Sequence, residues 1–291
     1  MEILSKHPAL RAIVNAIGQV LYVARLGITI PGMGRHLLRF LDTLGGIALL
    51  FLETLFRLVL PPYRFRLFIR QAAVAGWQSL PLILVVLGLL GMITVIELNF
   101  QLDRIIRDVS QAPGVAGLMF FRVFGPTVVA AMLAAKVGAG FTAEIGTMNA
   151  TDQVDALKLM GVNPVHYLVV PRFAACVVMQ VALSIVGVFA AFMGGFIANY
   201  SAVNFQTYVG IMSAYISWDT MVYLMFKSLG LSWVVPITAC FYGLRCTGGA
   251  KGVGEATTRA VVTSILIIIV LDFTISAVAD KLVSAAMSFI P

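Results

Sequence analysis

Apolar residues occur along this chain in long blocks, not in the strict alternation of a half-buried strand or the narrow stripe of a soluble helix. Residues 71–96 contain no charged side chain, and a helix needs only about 20 mostly apolar residues to cross a bilayer. This predicts a first span between Arg70 and Glu97. A second runs from about Val115 to Phe141, with Arg122 near its start and Lys136 and Gly138-Ala139-Gly140 interrupting it. Charge is absent again from Phe173 to Trp218, enough for one long helix to about Tyr200, followed by a polar, aromatic loop through Asn204, Gln206 and Tyr208. The fourth block, Thr220 to Tyr242, contains Lys227; the fifth, Ala260 to Ala279, holds Asp272 at its middle and ends near Lys281. The predicted fold class is all-α, a polytopic membrane protein with five transmembrane helices.

Composition agrees. Of 291 residues 60% are hydrophobic and 11% charged, against about 25% charged in soluble domains, so much of the surface faces lipid. This excludes an ordinary soluble domain and a disordered tail. Cys176, Cys240 and Cys246 make no paired framework, which excludes a secreted disulfide scaffold. They read as small apolar fillers.

The net charge of +7 is unevenly placed. Nine basic residues precede the first span: Lys6, Arg11, Arg25, Arg35, Arg39, Arg57, Arg64, Arg66 and Arg70. The loop after that span offers Arg104 and Arg107, each beside Asp103 or Asp108, and the loop after the third offers none. The positive-inside rule therefore places the N-terminus in the cytoplasm, together with the connections around residues 143–171 and 245–259. Five crossings then put the C-terminus outside.

The first 70 residues lack a cleavable signal pattern, because basic residues recur throughout them. Residues 1–43 read as a cytoplasmic or membrane-surface extension, 44–72 as an interfacial region, and 73–288 as the membrane domain. Within Leu44 to Leu60 one face is apolar, Glu53 and Arg57 stand four apart, and Pro61-Pro62 ends the run, which suits an interfacial helix. The alternative is a sixth span.

The least membrane-like stretch is Ala143 to Arg172, AEIGTMNATDQVDALKLMGVNPVHYLVVPR, expected to sit in water. Asn149 or Thr151 can cap a helix whose first turn holds Asp152 and Asp155, acids favoured near the positive end of the helix dipole. Val154, Leu157 and Met160 or Gly161 then share a face, Asp155 and Lys158 lie beside it, and Asn163-Pro164 ends the helix. Such a rod is either a solvated connector or a docking helix that offers an apolar ridge to a partner's groove.

The string GAGFTAEIGTMNATDQVDALKLMGVNPVHYLVVPRF resembles the signature of MlaE-type permeases, membrane subunits of ABC transporters that work with MCE proteins. Leu44 to Glu97 resembles the family's opening, with its double proline, Arg70-Gln71, Ser79-Leu80-Pro81 and Gly91-Met92. Phe121 to Pro126 resembles its Arg-Glu-Leu-Gly-Pro turn, although Val123 replaces the glutamate. Gly252 to Asp272 resembles its closing run. Ala135-Lys136 stands where Gly-Arg is usual, and Glu97 where glutamine is common.

The resemblance implies a homodimeric permease in a bacterial inner membrane, with a periplasmic C-terminus, that carries phospholipid between the membrane and an MCE-domain protein. Sterol-like or other hydrophobic cargo is the alternative. ATP and Mg would be bound by a separate ABC ATPase subunit, with a small STAS-type protein as accessory, and this chain would hold no cofactor and catalyse nothing. No nucleic-acid partner is expected. The ATPase contact is expected at Glu144, Asn149, Asp152, Asp155, Leu157, Lys158, Met160 and Gly161, from which nucleotide-driven closure would reach the second and third spans.

Ionisable residues inside spans are costly and tend to face the bundle interior or a wet cavity. Glu97, Arg122, Lys227 and Asp272 are the candidates for lining such a cavity. Glu97 and Arg122, near an interface, either snorkel to headgroup level or handle a lipid phosphate. Lys227 and Asp272 lie too deep for that and are expected to be paired, with each other or with other groups, or to line the cavity; they would also be the catalytic pair of an intramembrane enzyme or the relay of a proton-coupled carrier. Lys136 belongs to the same set. Gly138-Ala139-Gly140, Gly187 and Gly194-Gly195 suit close helix packing. His7, His36 and His166 lack neighbours at ligand spacing, so no metal is expected. Gly248 to Gly254 lacks the strand and the Gly-Lys-Ser/Thr ending of a phosphate loop and reads as a turn.

Overall fold

A computed structural model describes residues 33–58, 65–105, 111–200 and 203–287. Pro61-Pro62, Arg107-Asp108 and residues 1–32 lie outside the described residues. Met1–Glu53 and Thr54–Pro291 form two compact units. The described part of the first lies within α1 (Met33–Leu58), which extends upstream of the Leu44 start expected for it. Among the described residues five helices are long and apolar enough to cross a membrane, and α1 is not one of them, against the sixth-span alternative.

The five spans of the second unit are Phe65–Ile105, Ala112–Ala150, Val165–Asn199, Trp218–Leu244 and Gly249–Ala279. Prolines break most of them. The first comprises α2 (Phe65–Gly76) and α3 (Leu80–Ile105), parted at residues 77–79, where Pro81 has no N–H to offer the carbonyl of Trp77. The second comprises α4 (Ala112–Met119), α5 (Gly125–Leu133) and α6 (Ala139–Ala150), joined through π-helical turns at Phe120–Phe124 and Ala134–Gly138. A third π turn, Val165–Val169, opens the span continued by α8 (Val170–Asn199). Two of the three π turns stand just ahead of a proline, Pro126 or Pro171, whose missing N–H leaves the carbonyl four residues back without its α-helical donor.

Between spans lie α7 (Gln153–Leu159) and α9 (Phe205–Tyr215). The latter replaces the loop expected through Asn204, Gln206 and Tyr208. Tyr208 is buried, its ring against Phe192 and Phe196, so α9 folds back onto the span it follows instead of facing water. The fourth span divides at Trp233 into α10 (Trp218–Ser232) and α11 (Val234–Leu244). The last helix, α12 (Gly249–Met287), starts well before Ala260. Only Gly248 and Gly249, with positive φ, form the turn expected across residues 248–254; the rest is its first helical turns.

Burial is uneven among the spans: the fourth span's most apolar window is 72% buried, whereas the fifth's is 11% buried. Helix α10–α11 is the axis of the bundle, and α12 shows most of its apolar surface outward. The tightest packing is between α3 and α8, where Gly91 faces Ala191 and Gly194 faces Gly88. A Cβ on Gly91 would overlap the Ala191 backbone and one on Gly194 the Gly88 backbone, so backbone contact is possible only without side chains.

The packing predicts an asymmetric glycine series. Gly91→Ala and Gly194→Ala should each destabilise the protein by about 1–3 kcal/mol, the usual cost of overpacking. Gly88→Ala, whose Cβ would lie 3.7 Å from the Ala190 carbonyl, should be neutral or stabilising through helix propensity. Thermal unfolding of the three variants in detergent micelles measures this; equal loss in all three contradicts it.

Candidate functional site

Lys227 of α10 is 0% exposed, yet each donor of its ammonium has a partner. Its Nζ lies 3.0 Å from Asp272 Oδ1 on α12, donates to the Arg122 carbonyl at 2.8 Å, and donates to the Ser276 hydroxyl at 3.1 Å. The Arg122 carbonyl is free to accept because Pro126, four residues on, has no N–H. Asp272 also accepts a hydrogen bond from the Thr127 hydroxyl on α5. The Tyr223 ring, one turn before Lys227, lies 5.8 Å from the ammonium and 5.6 Å from the Arg122 guanidinium. Three spans thus converge on one satisfied ion pair, with 17% of the Asp272 side chain exposed.

Of the four residues expected to line a cavity, Arg122, Lys227 and Asp272 come together and Glu97 does not. Glu97 is exposed near the far end of α3, where it accepts from Gln101 one turn on. Arg122 joins through its backbone while its side chain is exposed. With its donors engaged by Asp272, Ser276 and a carbonyl, Lys227 holds a charge in place rather than attacking a substrate.

The segment after the second span differs from a solvated rod. Helix α6 runs on to Ala150 with Ile145 fully buried, and Asn149 caps nothing: it lies in that helix and donates to the Cys246 carbonyl at 2.8 Å. The chain breaks at Asp152, which takes a left-handed conformation, φ 57°, that Asp tolerates better than most residues. Asp152 is therefore the residue before α7, and Asp155 sits in its first turn. Val154 is buried and Leu157 half-buried, so the expected docking ridge turns inward at its start. The apolar residues facing outward are Met160 and Leu159, 69% and 89% exposed. Asp155 and Lys158 pair at 2.7 Å on the surface, and Gly161 takes the positive φ that ends the helix. Glu144 pairs instead with buried Arg172 of α8 at 2.8 Å, and Arg172 also donates to the Leu168 carbonyl at 2.8 Å.

The permease MlaE family description matches residues 68–278, nearly three-quarters of the chain. The chain belongs to the MlaE permease family. It is 36% identical over 211 residues to a probable ABC transporter permease of Synechocystis sp., covering 72% of this chain and 80% of that one. A probable ABC transporter permease of Rickettsia typhi is 30% identical over 251 residues, 86% and 96% of the two chains. The intermembrane phospholipid transport system permease protein MlaE of Haemophilus influenzae is 28% identical over 263 residues, again 86% and 96%. The protein is thus an ABC transporter permease with a multi-pass membrane fold.

In this MlaE-family chain four site residues escaped the sequence reading: Thr127, Tyr223, Ser276 and Arg172. A signal for two existed. Tyr223 stands four residues before Lys227, and Ser276 four after Asp272, so each charge had a polar neighbour on its own helix face. Thr127 and Arg172 are recruited by neighbouring helices, which no local spacing shows.

Removing one member of a buried pair strands the other charge, at about 3–5 kcal/mol. Lys227→Met and Asp272→Asn should each lower folding yield and thermal stability, and the double variant should recover at least part of the loss. A double-mutant cycle on unfolding in detergent reads the coupling; strictly additive losses contradict the pairing.

Proposed function

We propose that this chain is the membrane subunit of an ATP-driven transporter that moves phospholipid between the cytoplasmic membrane of a bacterium and an MCE-domain partner. A separate ABC ATPase binds ATP and Mg and docks on α7. The carrying observation is the outward apolar tip formed by Leu159 and Met160 beside the Asp155–Lys158 pair, on a short helix held between two spans. An apolar tip on an otherwise polar connection suits insertion into a groove of a soluble partner. Two copies of the chain would face each other across α12, whose apolar surface is the least covered in the bundle. A lipid between them would find apolar walls for its chains and, at Asp272, Arg122 and Tyr223, polar groups for its head. The phospholipid assignment draws on the Haemophilus influenzae relative, which is named for intermembrane phospholipid transport. A small STAS-type protein is the expected accessory.

The test is reconstitution of the permease with its ATPase in vesicles. Phospholipid movement should require ATP; movement that persists without nucleotide and follows a proton gradient would identify a carrier instead. Leu159→Asp with Met160→Asp should reduce ATPase co-purification about tenfold, as loss of an interface anchor does, with permease stability unchanged. Val154→Asp, at a buried position, should instead destabilise the permease itself. Undiminished co-purification and transport in the Leu159/Met160 variant would sink the docking assignment.

A further inference from the structure

We propose that a cleft between α2 and the second span binds the phosphate of a phospholipid headgroup, at a site separate from the Lys227–Asp272 centre. The cleft has a volume of ≈ 260 Å³ and is lined by Arg70, Gln71 and Gln78 from the first span and by Lys136, Gly140 and Glu144 from the second. Its charge is positive. Arg70 and Lys136 stand on opposing walls, while the Glu144 carboxylate is engaged by Arg172 at 2.8 Å. Lys136 is exposed, and the Gln78 carbonyl holds its ammonium in place by one hydrogen bond, which leaves donors for an anion. Arg70, also exposed, offers a planar fork that matches phosphate oxygens. The amides of Gln71 and Gln78 add neutral donors.

The surroundings favour a lipid over free phosphate. Trp77, 79% exposed, adjoins Gln78 at the break between α2 and α3, and exposed Trp residues of membrane proteins collect at headgroup level. Continuing from Gln78 at helical spacing, Leu82, Val85 and Leu89 are exposed apolar residues that lead from the cleft into the hydrocarbon zone. Gly140 leaves room: a Cβ there would meet nothing within 4 Å, so this glycine keeps the cleft open and does not serve close helix packing. Phosphate held at the mouth, acyl chains laid along α3, is the arrangement these features fit. The inference needs neither the ATPase contact on α7 nor transport.

Native mass spectrometry of the full chain in detergent, titrated with phosphatidylglycerol, tests it. Wild-type protein should retain phosphatidylglycerol, and inorganic phosphate should not displace it. Diacylglycerol with the same acyl chains should bind far more weakly. Gly140→Leu, which fills the cleft, and Arg70→Gln, which removes the fork, should each weaken retention about tenfold, in line with loss of a charge-assisted hydrogen bond. Because Arg70 is exposed, its variant keeps the test valid if Gly140→Leu folds poorly. Equal retention in wild type and Arg70→Gln, equal binding of diacylglycerol, or displacement by inorganic phosphate would each overturn the proposal.

Discussion

An ammonium in the middle of a membrane-spanning bundle must have every donor met, and that requirement at Lys227 organises much of this structure. Burying an unpaired charge costs several kcal/mol, and a carboxylate alone repays this only when the remaining donors are also satisfied. Here they are, by Asp272, Ser276 and the Arg122 carbonyl. The last partner lacks its α-helical donor because Pro126, four residues on, has no N–H. An interruption that would expose a bare carbonyl to hydrocarbon becomes, with Lys227 opposite, the contact that fixes the second span against the fourth.

The same device recurs toward the end of the bundle that carries α7. Lys136 lies in the second π turn, and its amine reaches the Gln78 carbonyl at the proline-associated break in the first span. Arg172, just after the third π turn, reaches Glu144 and the Leu168 carbonyl. Each of the three π turns is matched by a cation on, beside or bonded to it: Lys227 at the first, Lys136 at the second and Arg172 at the third. These charges brace joints, which explains why a chain with so few charged residues places several of them inside its spans.

Five spans were legible from apolar length despite isolated charges inside three of the apolar blocks, because a bilayer imposes a length no soluble core demands. The boundaries were less so. Helix α12 begins at Gly249, eleven residues before Ala260, and its first turns were missed because they are mostly small and polar residues that carry no apolar signal for the span to be read from. Residues 143–150 looked like a soluble connector because Glu144 and Asn149 are polar, but both are satisfied by partners distant in sequence, Arg172 and the Cys246 carbonyl. The pairing of Lys227 with Asp272, allowed by the sequence but not selected by it, depends on which faces of α10 and α12 meet. Similarly, Val154 and Leu157 read as a docking ridge from spacing alone, and only the turn at Asp152 shows that the ridge starts inward and ends outward at Leu159 and Met160.

The second span is the hub through which a displacement of α7 would spread. It continues into α7 across the single left-handed turn at Asp152. It holds the first span through Lys136 and Gln78, and the third through Glu144 and Arg172 and through the Pro126 carbonyl, which accepts from Gln180 at 3.0 Å. The fourth is reached through the Arg122 carbonyl and Lys227, and the fifth through Thr127 and Asp272. Hydrogen bonds and ion pairs in a low-dielectric interior are strong and directional, so they tie the helices they join. A push on α7 would therefore reach all four other spans through polar contacts, and one such route from the outward tip to the buried charge runs through the helix with the most breaks.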